Sequence, residues 1–211
     1  MKKLVYCVLF VIISVYSAQA QNIYPMAVGP FITLKGGVNT GTIPNGTKTD
    51  FALNSIPDFG ATAYFPFSDS SNIGVAVDLG YSTYGIRSKP NTGAVDSNTF
   101  DSSYSYLTLS PSLNANVFTL GFNFGIPLAA SAKNLSGNQN RNLNTSLLSM
   151  LVELRVGAMI PLMNDATGRL DLIVQGGYML SGMYSSSTSS NPKAASIALG
   201  LNYLFSLKKH Q

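Results

Sequence analysis

The sequence predicts an all-β fold: an eight-stranded antiparallel up-and-down transmembrane β-barrel behind a cleaved N-terminal signal peptide. Three observations predict it. Residues 197–205 alternate, with Ile197, Leu199, Leu201, Tyr203 and Phe205 on one face and Ala198, Gly200, Asn202 and Leu204 on the other. One apolar face, one small and mixed face and an aromatic end suit a wall between lipid and a packed lumen. The same period of two recurs in eight segments with nearly every charge on one face. The connections between those segments alternate in length.

The leader comes first in the chain. Lys2 and Lys3 precede an apolar run over 4–15, and Ala18-Gln19-Ala20 fits a small-x-small cleavage site, so the signal peptide is 1–20 and the barrel domain 21–211. The run is shorter than the roughly 20 residues of a spanning helix. Cys7 lies inside the leader without a lipoprotein context, so the mature chain has neither disulfide nor thiolate chemistry.

Eight strands follow. The first, 31–39, turns Ile32, Leu34, Gly36 and Val38 outward and Thr33, Lys35 and Asn39 inward. The second, 58–67, carries Phe59, Ala61, Ala63, Phe65 and Phe67 outward. The third, 73–85, sets Ile73, Val75, Val77, Leu79 and Tyr81 against Gly74, Ala76, Asp78, Gly80 and Ser82. The fourth, 104–114, sets Leu107, Leu109 and Leu113 against Thr108, Ser110, Ser112 and Asn114. Pro111 falls within it and lacks a ladder donor in a strand paired on both sides, a conflict that a bulge there would resolve. The fifth, 117–128, sets Phe118, Leu120, Phe122, Phe124 and Ile126 against Thr119, Gly121, Asn123 and Gly125. The sixth, 149–162, alternates Val152, Leu154, Val156, Ala158 and Ile160 with Glu153, Arg155, Gly157 and Met159. The seventh, 169–182, sets Leu170, Leu172, Val174 and Tyr178 against Asp171, Gln175 and Ser181. The eighth is 195–207. Each reaches or slightly exceeds the 9–11 residues of a tilted membrane strand.

Short turns are expected near 68–72, 114–116 and 164–168. Longer polar loops are expected near 40–57, 86–103, 132–148 and 185–194. Short turns inside and long loops outside put both termini in the periplasm, which requires an even strand number. Phe65, Phe67, Phe118, Tyr203 and Phe205 then fall at the periplasmic interface and Tyr81 and Tyr178 nearer the outer one, as aromatic girdles without tryptophan.

The segments Tyr64-Phe65-Pro66-Phe67, Gly125-Ile126-Pro127-Leu128 and Met159-Ile160-Pro161-Leu162 read as repeated strand endings, and the last strand carries Gly200-x-x-Tyr203-x-Phe205. On these features the chain resembles small bacterial outer-membrane β-barrel proteins, the outer membrane protein beta-barrel domain group. The resemblance implies location in the cell outer membrane, a lipid environment and delivery to the barrel-assembly machinery. Gly200, Tyr203 and Phe205 would then be the terminal assembly signal. Ala198 stands where that signal often has a polar residue, and residues 206–211 run on past its aromatic. The resemblance implies a fold and a membrane, not an activity.

Charged residues are 10% of the chain, against about 25% in soluble domains. Losing Lys2 and Lys3 lowers the formal charge from +4 to +2, with no clustered basic patch for nucleic acid. Lys35, Asp78, Glu153, Arg155 and Asp171 point inward and are candidates for lumen ion pairs; a gated ion path or ligand site lined by the same residues is the functional alternative. Tyr64, Tyr84, Tyr104 and Tyr106 also point inward, as a plug or as a stacking surface. The single histidine, His210, sits in the tail, so a Ser–His site on the barrel cannot be built. No catalytic residue, cofactor site or metal site is assigned, and the chain reads as non-enzymatic. The expected role is structural or surface-interacting; a small solute or ion channel, or a secreted soluble ligand-binding barrel with inverted faces, are the other readings.

Overall fold

The computed structural model describes residues 25–43, 45–68, 72–91, 99–134, 140–165, 167–186 and 191–207. The leader, with Cys7 and its cleavage site, and the tail, with Lys208, Lys209 and His210, lie outside the described residues.

Period-two alternation yields eight long strands and three short ones. They are β1 (Ala27–Asn39), β2 (Thr47–Asp50), β3 (Ala52–Leu53), β4 (Asp58–Pro66), β5 (Ile73–Pro90), β6 (Phe100–Ala115), β7 (Phe118–Asn134), β8 (Asn140–Asn142), β9 (Leu151–Asn164), β10 (Gly168–Met179) and β11 (Ala194–Ser206). Around the wall the order is β1, β4, β5, β6, β7, β9, β10, β11. Every neighbouring pair is antiparallel. β11 returns to β1 along its length, from Ala27 opposite Ser206 to Asn39 opposite Ala194. The ring of eight therefore closes and leaves no free edge.

The faces follow the alternation. Ile32, Leu34, Phe59, Leu79, Leu109, Leu120, Phe122, Val156 and Leu199 are exposed on the outside, while Thr33, Lys35, Ser82, Thr108, Ser110, Asn123, Glu153 and Asn202 are buried inside. A soluble ligand-binding barrel would require the opposite assignment.

The short strands lie in regions that the sequence assigns to loops. β2 pairs with the far end of β5, β3 with β1, and β8 with β7. Between β3 and β4 the side chain of Asn54 docks on β5, donating to Thr83 O and accepting from Gly85 N. β5, β6 and β7 run for 18, 16 and 17 residues. A span needs only about 9–11, so their loop ends rise beyond the outward apolar belt.

Two expectations are corrected here. Register passes Pro111 without a shift, with Val77 opposite it on β5, while on the β7 side the pairing skips Ser110 and Pro111 between Leu109–Phe124 and Ser112–Gly121. The bulges lie elsewhere. Ser105 faces Ala129 and Tyr106 faces Pro127, which leaves Leu128 extra; Leu170 faces Met163 and Asp171 faces Pro161, which leaves Leu162 extra. Ile126-Pro127-Leu128 is thus a bulge site inside β7, which continues to Asn134, rather than a strand ending. Ile160-Pro161-Leu162 is a bulge just before the end of β9 at Asn164, and Tyr64-Phe65-Pro66-Phe67 does close its strand, since β4 ends at Pro66. Proline lacks the N–H that a regular ladder needs, and a bulge is where a strand tolerates that loss.

Candidate functional site: a sealed polar lumen

Short turns, the start of β1 and the end of β11 gather at one mouth, and the long connections at the other. At the turn end, Asn116 adopts a left-handed φ of 56° between β6 and β7. Asp165 closes the β9–β10 turn by accepting from the Thr167 and Gly168 amides at 2.8 and 3.0 Å.

The middle of the lumen is a polar network. Lys35 on β1 donates to Asp58 Oδ2 on β4 at 2.6 Å and to Ser82 Oγ on β5 at 2.5 Å. Ser82 Oγ and Thr83 N also donate to the Asp58 carboxylate, at 2.7 and 2.9 Å. The Lys35 ammonium lies 3.5 Å above the centre of the Tyr84 ring. Tyr84 donates from its hydroxyl to Glu153 Oε2 at 2.6 Å, and Arg155 Nε donates to the same oxygen at 2.8 Å. Asn123 Nδ2 adds a third bond there at 3.0 Å, and Ser110 Oγ donates to Asn123 Oδ1 at 2.7 Å. Charges removed from water persist when they are paired and their remaining lone pairs are satisfied.

Towards the turn end, Arg169 Nε donates to Asp171 Oδ2 at 2.8 Å and its guanidinium lies 5.4 Å from the Tyr64 ring centre. Buried acceptors there remain without a partner: Asp171 Oδ1 and Asn202 Oδ1, in residues that face each other across the β10–β11 ladder.

Of the five inward charges singled out in the sequence, Glu153 and Arg155 pair with each other. Lys35 and Asp171 are also paired, with Asp58 and Arg169, two residues that the sequence reading did not single out. Alternation alone places both inside, because Asp58 precedes outward Phe59 and Arg169 precedes outward Leu170. Asp78 departs from the expectation. Its described hydrogen bond is from Thr62 Oγ1 at 2.7 Å, and no lysine or arginine nitrogen lies within 4.0 Å of it among the described residues.

Apolar layers bound this middle. At the loop end Tyr84, Ile86, Tyr104, Tyr106, Ala130, Leu151, Met179 and Ala194 pack with Leu148 and Met183 from the connections before β9 and after β10. Tyr184 closes over them, its hydroxyl 3.0 Å from that of Tyr104. At the turn end Ala27, Tyr64, Ala76 and Leu204 pack with Met159. All four inward tyrosines are thus buried in plugs. Between the layers remains a cavity of 40 Å³, lined in part by Thr33, Asp78, Ser112, Thr119, Arg155 and Asn202.

On the outer surface, Phe65, Phe67, Phe118 and Phe205 are exposed at the turn end. The Tyr203 and Phe205 ring centres are 4.7 Å apart. Towards the loop end Tyr178 is exposed and Tyr81 stacks on Phe59 at 5.4 Å. Gly200 sits where a Cβ would collide with the Ile32 carbonyl, so the last strand can close on β1 only with glycine there.

A closed eight-stranded ring with an apolar outer belt, a polar interior, short turns at one end and long loops at the other is a transmembrane β-barrel of the outer-membrane type. No protein-family model and no curated protein matches the chain. Solved structures do. The attachment invasion locus protein Ail of Yersinia pestis aligns over 86% of this chain and 100% of its own at 17% identity, with a TM-score of 0.41. Neisserial surface protein A aligns over 86% and 97% at 13% identity, TM-score 0.43. The outer membrane protein OprG of Pseudomonas aeruginosa aligns over 89% and 99% at 14% identity, TM-score 0.35.

Proposed function

We propose that this protein is a non-conducting, non-enzymatic scaffold of a bacterial outer membrane, which acts through the loops it presents outside, in a structural or surface-interaction role. The observation that carries this reading is the lumen. Apolar layers stand at both ends, and the cavity that the described residues enclose between them inside the barrel has a volume of 40 Å³, too small for a solute path. Rigid walls below long loops are a common arrangement for surface recognition. In this reading residues 1–20 are removed on export. Phe65, Phe67, Phe118, Tyr203 and Phe205 form one lipid-interface girdle, and Tyr81 and Tyr178 belong to the other. Gly200, Tyr203 and Phe205 are what the assembly machinery reads.

Planar-bilayer recording tests it. The purified barrel gives no unitary conductance on this reading. Conductance steps that Asp78→Asn or Arg155→Gln alters would favour the channel instead.

A further inference from the structure

Among the described residues, the lumen does not balance its charge. Three cations, Lys35, Arg155 and Arg169, face four carboxylates, Asp58, Asp78, Glu153 and Asp171. Three pairs cancel and Asp78 is left over. It faces the 40 Å³ cavity, held by the hydroxyl of Thr62. Asn202 lines the same cavity; it is 1% exposed, and its Oδ1 has no hydrogen-bond partner. Thr33, Thr108, Ser112 and Thr119 bring further oxygens to the wall. Asp78 is half-buried and Asn202 fully buried; a carboxylate ionised at the first and the unmatched amide oxygen of the second are unfavourable unless something positive meets them.

We propose that this chamber binds one monovalent cation of the sodium or potassium class, against Asp78 and the Asn202 amide oxygen. The charge deficit is one, which a monovalent ion cancels. A divalent ion would overshoot beside Arg155, which also lines the cavity. Carboxylate, hydroxyl and amide oxygens are the ligand class of hard cations. The volume holds about three water-sized spheres, enough for an ion and its remaining waters. The plugs at either end retain it. The ion is a structural counter-ion, and its presence does not depend on what the loops bind.

The test is to refold the full mature barrel into detergent micelles in sodium, potassium or choline chloride at equal ionic strength. The temperature at which the folded, fast-migrating band is lost on gels is then compared. The expected result is a higher midpoint in sodium or potassium than in choline. Asp78→Asn abolishes the difference and is at least as stable as the native chain in choline, and Asn202→Leu reduces the difference. Equal midpoints in the three salts would overturn the proposal, as would a salt difference that survives Asp78→Asn. A midpoint in choline that rises on acidification with no cation effect would mean that Asp78 is held as the neutral acid, and would overturn it too. If the Asp78 variant does not fold, crystals of the native barrel grown from rubidium salt decide: an anomalous peak beside Asp78 supports the site and its absence refutes it.

Discussion

Tyr84 and Glu153 join strands that are not neighbours. β5 and β9 are separated in the wall by β6 and β7, yet the Tyr84 hydroxyl donates to Glu153 Oε2 across the lumen at 2.6 Å. With Arg155 and Asn123 on the same oxygen, this contact ties opposite walls together through side chains as well as through the ladder. Glu153→Gln keeps the shape and removes the charge that balances Arg155. Breaking a buried pair in this way costs about 3–5 kcal/mol, measured as denaturant unfolding in micelles. The Tyr84→Phe and Glu153→Gln effects are expected to be non-additive by at least about 0.5 kcal/mol in a double-mutant cycle. Additive losses would mean that the two groups act separately.

A charge placed on the outer belt separates lipid from water as the surrounding medium. Val77 is the middle one of the outward residues Ile73, Val75, Val77, Leu79 and Tyr81 on β5. Val77→Arg should lower stability in liposomes by about 2–4 kcal/mol, the cost of arginine near mid-membrane. Ser103→Arg, on an exposed position of β6 near the loops, should cost under about 1 kcal/mol.

The loop-end plug draws residues from connections as well as from strands. Met183, in the connection after β10, is fully buried, while Leu180 only three residues earlier is exposed. Met183→Ala should destabilise by about 2–5 kcal/mol through lost burial and a new cavity. Leu180→Ala should change little. Equal effects would mean that the connection does not pack into the mouth in solution.

The rim adds a pH dependence. Asp50 on β2 lies at the loop end, where Lys89 on β5 pairs with it. The hydrogen bond from Lys89, with one from the Phe51 amide, holds its carboxyl below the ordinary carboxylate range. A depressed value stabilises above the unfolded pKa of about 3.9 and loses that contribution as pH falls through the lower folded value. Hydrogen-exchange protection factors of the β2 amides, which correct for the pH dependence of intrinsic exchange, should therefore hold at neutral pH and fall only below about pH 4. Asp50→Asn should lower this protection at neutral pH and leave the eight-strand ring intact.

Strand number, faces and the order of turns and loops were legible in the sequence because each depends on local alternation alone. Glu153 and Arg155 could be placed inside for the same reason, and so could Asp58 and Arg169 had the alternation been carried to the strand starts. Pairing across the lumen was not legible. Whether Asp78 meets a cation depends on how strands far apart in sequence face one another, and Lys35 meets Asp58 instead. The bulges were misplaced because Pro111 looked like the weak point, whereas Pro127 and Pro161 sit beside the extra residues Leu128 and Leu162. The plug residues Leu148 and Met183 lie in connections, where periodicity says nothing about burial.

The apolar outer face embeds the barrel in lipid. The most direct test is heat modifiability of the protein in washed membranes. After alkaline extraction the protein should remain in the membrane fraction, and unboiled samples should migrate differently from boiled ones on an SDS gel. A protein released by the wash, with one mobility regardless of boiling, would contradict the account and reverse the assignment of the two faces.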